Sequence, residues 1–471
     1  MRSPNPPSVD GWLRSQPRAP SWRRAPFFPP LPAAVPDLQS SASGGEDRSS
    51  SLHFVMTEPH TLTRLLPVCL LAGLLGAQGR TWIVDANGSG DFTDLTPALA
   101  AAADHDIIRV LPGLYNGGST NKALAILGTP GARLQVPTGF GAFQPEAIEV
   151  TGLPAGETFV LKGIEAAPLG LAVILDGAFV RLVNCLGSVH IDRVQADMLQ
   201  SFRGSIPAVA ATNCAQVTIS ASVLRGAPAV FANASTVTLV DCDVQGQAAF
   251  EHPLSGTWMA AAAADVRNGR LLVGQSRLTG GNGAMRYLGA GTFDPSAAIV
   301  LSASEATLAA TSICQIAAGG AFGAATSAVA GTGTVLRDGR VGLASYSGAP
   351  PVAPTLSDRT RALSSVLARG AAPGGTFAID LFATTGELAE IYLSLPSTPL
   401  PLPWPDTGEL WVDPTAMLVL GRVAVPPSET VQITFVVPNL PSFVALPIVV
   451  QAIAGTSAGV RTSTPATTVL D

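Results

Sequence analysis

The chain is poor in charge and poorer still in lysine. Charged residues fill 13% of its 471 positions, and Lys122 and Lys162 are its only lysines. At a formal net charge of −6 it has no basic stripe to neutralise a phosphate backbone, which excludes nucleic acid as a partner. The same scarcity excludes a coiled coil or a solvated helical array. Cysteine is rare, five in all, and no Cys-x-x-Cys spacing occurs, so a cysteine-held zinc site is excluded. Catalytic strings are missing too: there is no His-Glu-x-x-His, no P-loop and no dinucleotide fingerprint after a strand. The apolar run Leu65 to Leu75 is too short for a membrane span of roughly 20 residues. What is plentiful is Gly (48) and Pro (39) in a chain that is 47% hydrophobic, the composition of ordered, turn-rich β structure.

The amino end reads as two pieces. Residues 1 to 55 are rich in Pro, Ser and Arg with no apolar period, and are expected to be a disordered extension ahead of the true start at Met56. Residues 56 to 79 carry one positive charge (Arg64), the apolar run, and small residues in Ala77-Gln78-Gly79: a secretory signal peptide cut before Arg80. Without the seven basic and five acidic residues of positions 1 to 79, from totals of 27 and 33, the mature chain has a net charge of −8. The expectation is a secreted or periplasmic protein, or one held at the cell surface, with no integral membrane segment.

From Val183 to Gln315 the chain repeats loosely. Val189, Val217, Val237, Leu271 and Ala306 each open a segment that alternates apolar and polar before a turn, at offsets of 28, 20, 34 and 35. A unit of about 20 residues with insertions is the signature of a β-solenoid. Asn184, Asn213, Asn233 and Asn268 precede these strands and suit left-handed turns, where stacked amides would form a ladder. Cys185 and Cys214 directly follow the first two, so they should occupy equivalent places on neighbouring coils, either as a disulfide or as buried free thiols.

The opening Trp82-Ile83-Val84-Asp85-Ala86-Asn87-Gly88-Ser89-Gly90-Asp91-Phe92, a helical patch over Pro97 to Ala103, then Ile107-Ile108-Arg109-Val110-Leu111-Pro112-Gly113-Leu114-Tyr115, resembles the first coil of pectin lyase-like right-handed parallel β-helix proteins, most of all pectinesterases. The likeness is specific over about 35 residues. It implies a β-helix whose open apolar end is capped by the helix. It implies no catalytic residues, because the aspartate motifs of pectinesterases (Gln-Asp-Thr-Leu-Tyr, Asp-Phe-Ile-Phe-Gly) and the Asn-Thr-Asp, Asp-Asp, Gly-His-Gly and Arg-Ile-Lys motifs of polygalacturonases are absent. Fold is therefore legible where activity is not.

Candidate sites stand beside plainer readings. Strand alternation would put Asp241 and Asp243 on one outer face with Cys242 turned inward, where the carboxylates could hold Ca²⁺, work as an acid/base pair on a glycan, or simply be solvated. The insertion Gln247 to Asp265 offers Trp258 to stack on a sugar, with Glu251 or His252 to handle a proton, or else an ordinary loop. Arg267, Arg270 and Arg277 could read acidic sugars, with Arg267 the arginine base that a lyase of this fold would use, or be ordinary surface arginines. His190 reads as a lone outward strand residue.

Past Gly348-Ala349-Pro350-Pro351 the pattern changes to short strands between Pro and Gly clusters, including Thr376 to Phe382, Ala389 to Leu395 and Val431 to Val437. Trp404 and Trp411 are either glycan platforms or core. The expected architecture is all-β: a right-handed parallel β-helix over 80 to 350 and an antiparallel β-sandwich-like domain over 351 to 471. The expected activity is non-catalytic binding of an extracellular polysaccharide or cell-surface component. The alternatives are a divergent polysaccharide lyase or glycoside hydrolase, and a structural adhesin-like solenoid.

Overall fold

A computed structural model describes residues 79–136, 146–167, 177–198, 206–252, 256–286, 291–309, 314–401, 408–456 and 459–470. The expected leader and signal segment lie outside them, apart from Gly79. The described chain is the right-handed parallel β-helix that the sequence foretells, with a carboxyl-terminal all-β domain built on one mixed sheet, mostly antiparallel but with Ser364–Arg369 parallel to Gly459–Thr464. Each regular coil contributes three short strands. One coil, for instance, runs Val209–Thr212, Gln216–Ser220 and Val223–Gly226. These strands stack, coil on coil, into a first, a second and a third face.

The register matches the repeat read from the sequence: Val189 pairs with Val217, Val217 with Val237, Val237 with Leu271, and Leu271 with Ala306. These residues point inward and are buried, as are Ile191, Ile219, Leu239, Val273 and Leu308 one inward position along. Identical columns recurring at the strand spacing of about 4.8 Å build the core, so no single coil needs one of its own.

The corners explain why the strands stop. Asn184, Asn213 and Asn268 adopt left-handed φ of 54°, 54° and 50°, and the Asn213 amide donates to Asn184 Oδ1 at 3.1 Å. Asn233 departs from the expected ladder. It ends a strand, and its neighbour Ala234 takes the left-handed place at φ 48°. The residue after each such corner is often Ser or Cys, whose side chain donates to the carbonyl two residues back. Ser235 reaches Asn233 O at 2.8 Å, Ser222 reaches Ser220 O at 2.7 Å, and Cys242 reaches Val240 O at 3.3 Å. Cys185 and Cys214 fill this slot on neighbouring coils, reaching Val183 O at 3.7 Å and Thr212 O at 3.4 Å, so their equivalence is as expected. Both are free and buried, so the disulfide reading gives way to the thiol reading.

The helix Leu95–Ala101 closes the amino end by burying Leu95, Ala98 and Leu99, with the Asp94 carboxylate accepting from Leu95 N at 2.8 Å. Lys122 Nζ caps its other end, donating to the Leu99 and Ala100 carbonyls at 3.0 Å. The coil stack runs past residue 350, since Leu356–Thr360 still pairs in parallel with Val329–Arg337. Beyond it, strands from Ser364–Arg369 to Ala466–Val469 enclose a separate core of Val366, Phe377, Ile379, Leu381, Ile391 and Val450.

That domain lies along the outer side of the second face. Val469 and Ala445 pack on Ile107, Leu127 and Val160, while Tyr392, Trp411 and Val449 pack on Leu272. Lys162, 5% exposed, donates to Val469 O and stands 3.6 Å from Asp192, which accepts from Ser220 Oγ at 2.8 Å. Among the described residues no helix is long and apolar enough to cross a membrane.

Candidate functional site

The third face is the one left open. Its outward column runs Glu165, Gln195, Val223, Asp243, Arg277 and Gln315, in register from coil to coil. The next outward column runs Asp197, Arg225, Gln245 and Thr279. All of these are exposed or half-buried, while the alternate residues Ala196, Leu224, Val244, Leu278 and Ile316 are buried. Period-two alternation thus makes a polar, solvent-facing strip of side chains repeating at the coil spacing.

Three consecutive strands of this face, Asp243–Gly246, Arg277–Thr279 and Gln315–Ala317, each feed straight into an insertion. The insertions stack as the coils do: Ala249 N donates to Asn282 O at 2.7 Å, and Gly283 N donates to Gly320 O at 2.9 Å. Gly283 is required there, since a Cβ would come within 2.1 Å of the Phe322 carbonyl and 2.4 Å of the Phe293 carbonyl. The result is a ridge along one edge of the open face. It carries Phe250, Met259, Met285 and Phe322 at 42–64% exposure, distributed over the three successive insertions. The first rung is a hairpin in which Phe250 faces Trp258 and Glu251 faces Thr257. The His252 side chain lies outside what the structure describes.

The sequence candidates therefore separate into two groups. Asp243, Arg277, Glu251 and Trp258 gather at the open face and its ridge. Asp241, Arg267 and Arg270 do not. Asp241 is no strand residue; at φ 55° it occupies a left-handed corner, so the alternation argument that set it beside Asp243 fails. It instead lines a cavity of about 130 Å³ against the carboxyl-terminal domain, with Asp192, Arg193 and Arg369. Loss of hydration in this seam holds its carboxyl above the usual range; Arg369 opposes that shift and Asp192 adds to it. The two aspartates share neither an acid/base pair nor a cation site. Among the described residues, no cluster of three or more His, Cys, Asp or Glu side chains converges.

Arg267 ends a first-face strand, where it is clamped to Asp265 at 2.7 Å and sits 5.1 Å over the Phe231 ring. Arg270 is tied to Glu409 at 2.7 Å across the domain seam. Trp411 is 2% exposed and belongs to that seam's apolar packing, so it is no glycan platform, and Trp404 lies outside the described residues. Of the ridge's exposed apolar residues, Phe250, Met285 and Phe322 were not singled out by sequence reasoning. The signal was present in the equal placement of three insertions after successive third-face strands.

No family model and no curated protein matches the chain. Among solved structures, a phage tailspike is similar. The enzymatically active domain of bacteriophage CBA120 tailspike protein 2 is similar at 11% sequence identity and a TM-score of 0.23, over 76% of this chain and 63% of that one. The match thus spans less than two thirds of the tailspike chain, and a likeness this slight carries no argument about activity.

Proposed function

We propose that the protein is exported and binds an extracellular polysaccharide along the open third face, gripping it against the ridge of stacked insertions without cleaving it. The observation that carries this reading is the pairing of a polar strip with an apolar ridge. Extended sugars present hydroxyls on their edges and apolar C–H faces, and the two surfaces meet those needs side by side. A binding role fits better than hydrolysis because the neighbours of Asp243 in its column are Val223 and Arg277, not a second carboxylate.

The test is retention of the full chain on a panel of acidic and neutral polysaccharides, with and without Ca²⁺, scoring depolymerisation in parallel. Trp258→Ala combined with Arg277→Ala should weaken retention about tenfold or more, and Asp241→Ala should not change it. Cleavage of any polysaccharide would replace the binding reading with a lyase or hydrolase. No retention by a folded sample would leave a structural solenoid.

A further inference from the structure

Along the outward column of the second face, Val160, His190, Thr218, Thr238 and Leu272 are buried beneath the carboxyl-terminal domain. The next three positions, Thr307, Leu336 and Arg359, are not. The domain thus parts from the solenoid just after the contact of Trp411 and Tyr392 with Leu272, and the parting leaves a cavity of about 230 Å³.

Its walls carry Arg270, Arg359 and Arg361 against Glu305 and Glu409, so three cations face two anions and one positive charge is left over. Arg270 is already committed, 2.7 Å from Glu409 Oε1 and 3.5 Å from Glu305 Oε2. The Arg359 side chain is exposed and makes no ion pair or hydrogen bond among the described residues. On the other side of the ledger of needs, Glu409 Oε2 is buried with no hydrogen-bond donor, and Thr464 Oγ1, on the same wall, is likewise buried without a partner. A buried carboxylate oxygen and a buried hydroxyl left in this state call for polar groups from a ligand or from water. The volume is below the roughly 300–1,000 Å³ of sites for drug-sized molecules and suits something of monosaccharide size.

We infer that this cavity binds a small hydroxylated monocarboxylate, of the size and chemistry of a sugar acid, with Arg359 on its carboxylate and Glu409 Oε2 accepting from its hydroxyls. A neutral sugar would leave Arg359 unmatched. Phosphate offers only one or two P–OH donors and carries up to two negative charges beside Glu305 and Glu409, where a monocarboxylate carries one and presents several hydroxyls. The inference does not depend on the open face, which lies on a different side of each coil.

The test is calorimetric titration of the full chain with D-gluconate, D-glucose and inorganic phosphate as probes. Gluconate should bind at least tenfold more tightly than either of the others. Arg359→Ala, at an exposed and unpaired position, should lose at least tenfold in gluconate affinity with an unchanged melting temperature. Thr307→Val should weaken binding less, and Trp258→Ala should leave it unchanged. Gluconate binding no tighter than phosphate, or an Arg359→Ala protein that binds as the parent does, overturns the proposal. Since Arg359→Ala should not alter polysaccharide retention, this site and the open face fail or stand separately.

Discussion

The second and third faces of the solenoid are made by the same coils with the same alternation, yet one is covered and the other open. The outward column of the second face runs Val160, His190, Thr218, Thr238 and Leu272, all at or below 6% exposure. The corresponding column of the third face runs Glu165, Gln195, Val223, Asp243 and Arg277, each exposed or half-buried. Alternation decides which side chains leave the solenoid interior; it does not decide whether they meet water. Composition does that, because a face of aliphatic, threonine and histidine side chains can be buried again under a second domain, while one of carboxylates, guanidinium groups and amides resists it.

Removing a charge should separate the two faces most sharply. Lys162→Ala removes one of the two cations beside the Asp192 carboxylate, 1% exposed in the domain seam, leaving Arg193 at 3.6 Å, and should destabilise the protein by about 1–3 kcal/mol in urea unfolding. Arg277→Ala on the open face should stay within about 0.5 kcal/mol of the parent. Equal effects would erase the distinction.

Acid should act next. His190 is fully buried with neither ring nitrogen partnered, and burial lowers its pKa from 6.5 to about 3. The unfolded chain therefore takes up this proton first. The histidine's neutral form is free of penalty above pH 6.5, and stability falls as the pH drops from there toward 3, by up to about 1.4 kcal/mol per unit. Asp192 and Lys162 lie beside it on the same face, so the quantity to read is the difference between the parent and His190→Leu in urea midpoints at pH 7, 5.5 and 4. Parallel slopes in the two proteins would show that the imidazole is already hydrated.

A subtler pair of substitutions uses threonine. Thr238 Oγ1 is buried without a partner, so Thr238→Val should stabilise by about 1 kcal/mol, whereas Thr279→Val on the open face should change little. The smallest effect belongs to a corner. Ala234→Asn suits the left-handed φ of 48° and joins the amides of neighbouring coils, and a gain of about 0.5 kcal/mol in melting experiments is expected.

Much of this was legible in the sequence. The register of Val189, Val217, Val237, Leu271 and Ala306 followed from offsets alone, since inward columns must be apolar and in phase. The strand Thr376–Phe382 was read to the residue. Asp241 was misread because a strand period was carried across a corner, and a single left-handed residue breaks the alternation. Ala234 was missed for the opposite reason, since nothing about alanine announces a positive φ. His190 was rightly placed as outward, but the domain that covers it comes from a segment more than 250 residues away in the chain. No local pattern encodes that contact.

The two lysines have a practical consequence. Lys122 is tied to the backbone of the capping helix and Lys162 to the last strand of the carboxyl-terminal domain, with no third to compete. Amine-directed reagents meet a folded molecule whose side-chain amines are both engaged, one on the capping helix and one in the seam with the carboxyl-terminal domain. Labelling at Lys122 would then report loosening of the amino-terminal cap, and labelling at Lys162 the lifting of the domain from the solenoid. The chain's scarcity of lysine thereby gives it two site-specific reporters of partial unfolding without any engineering.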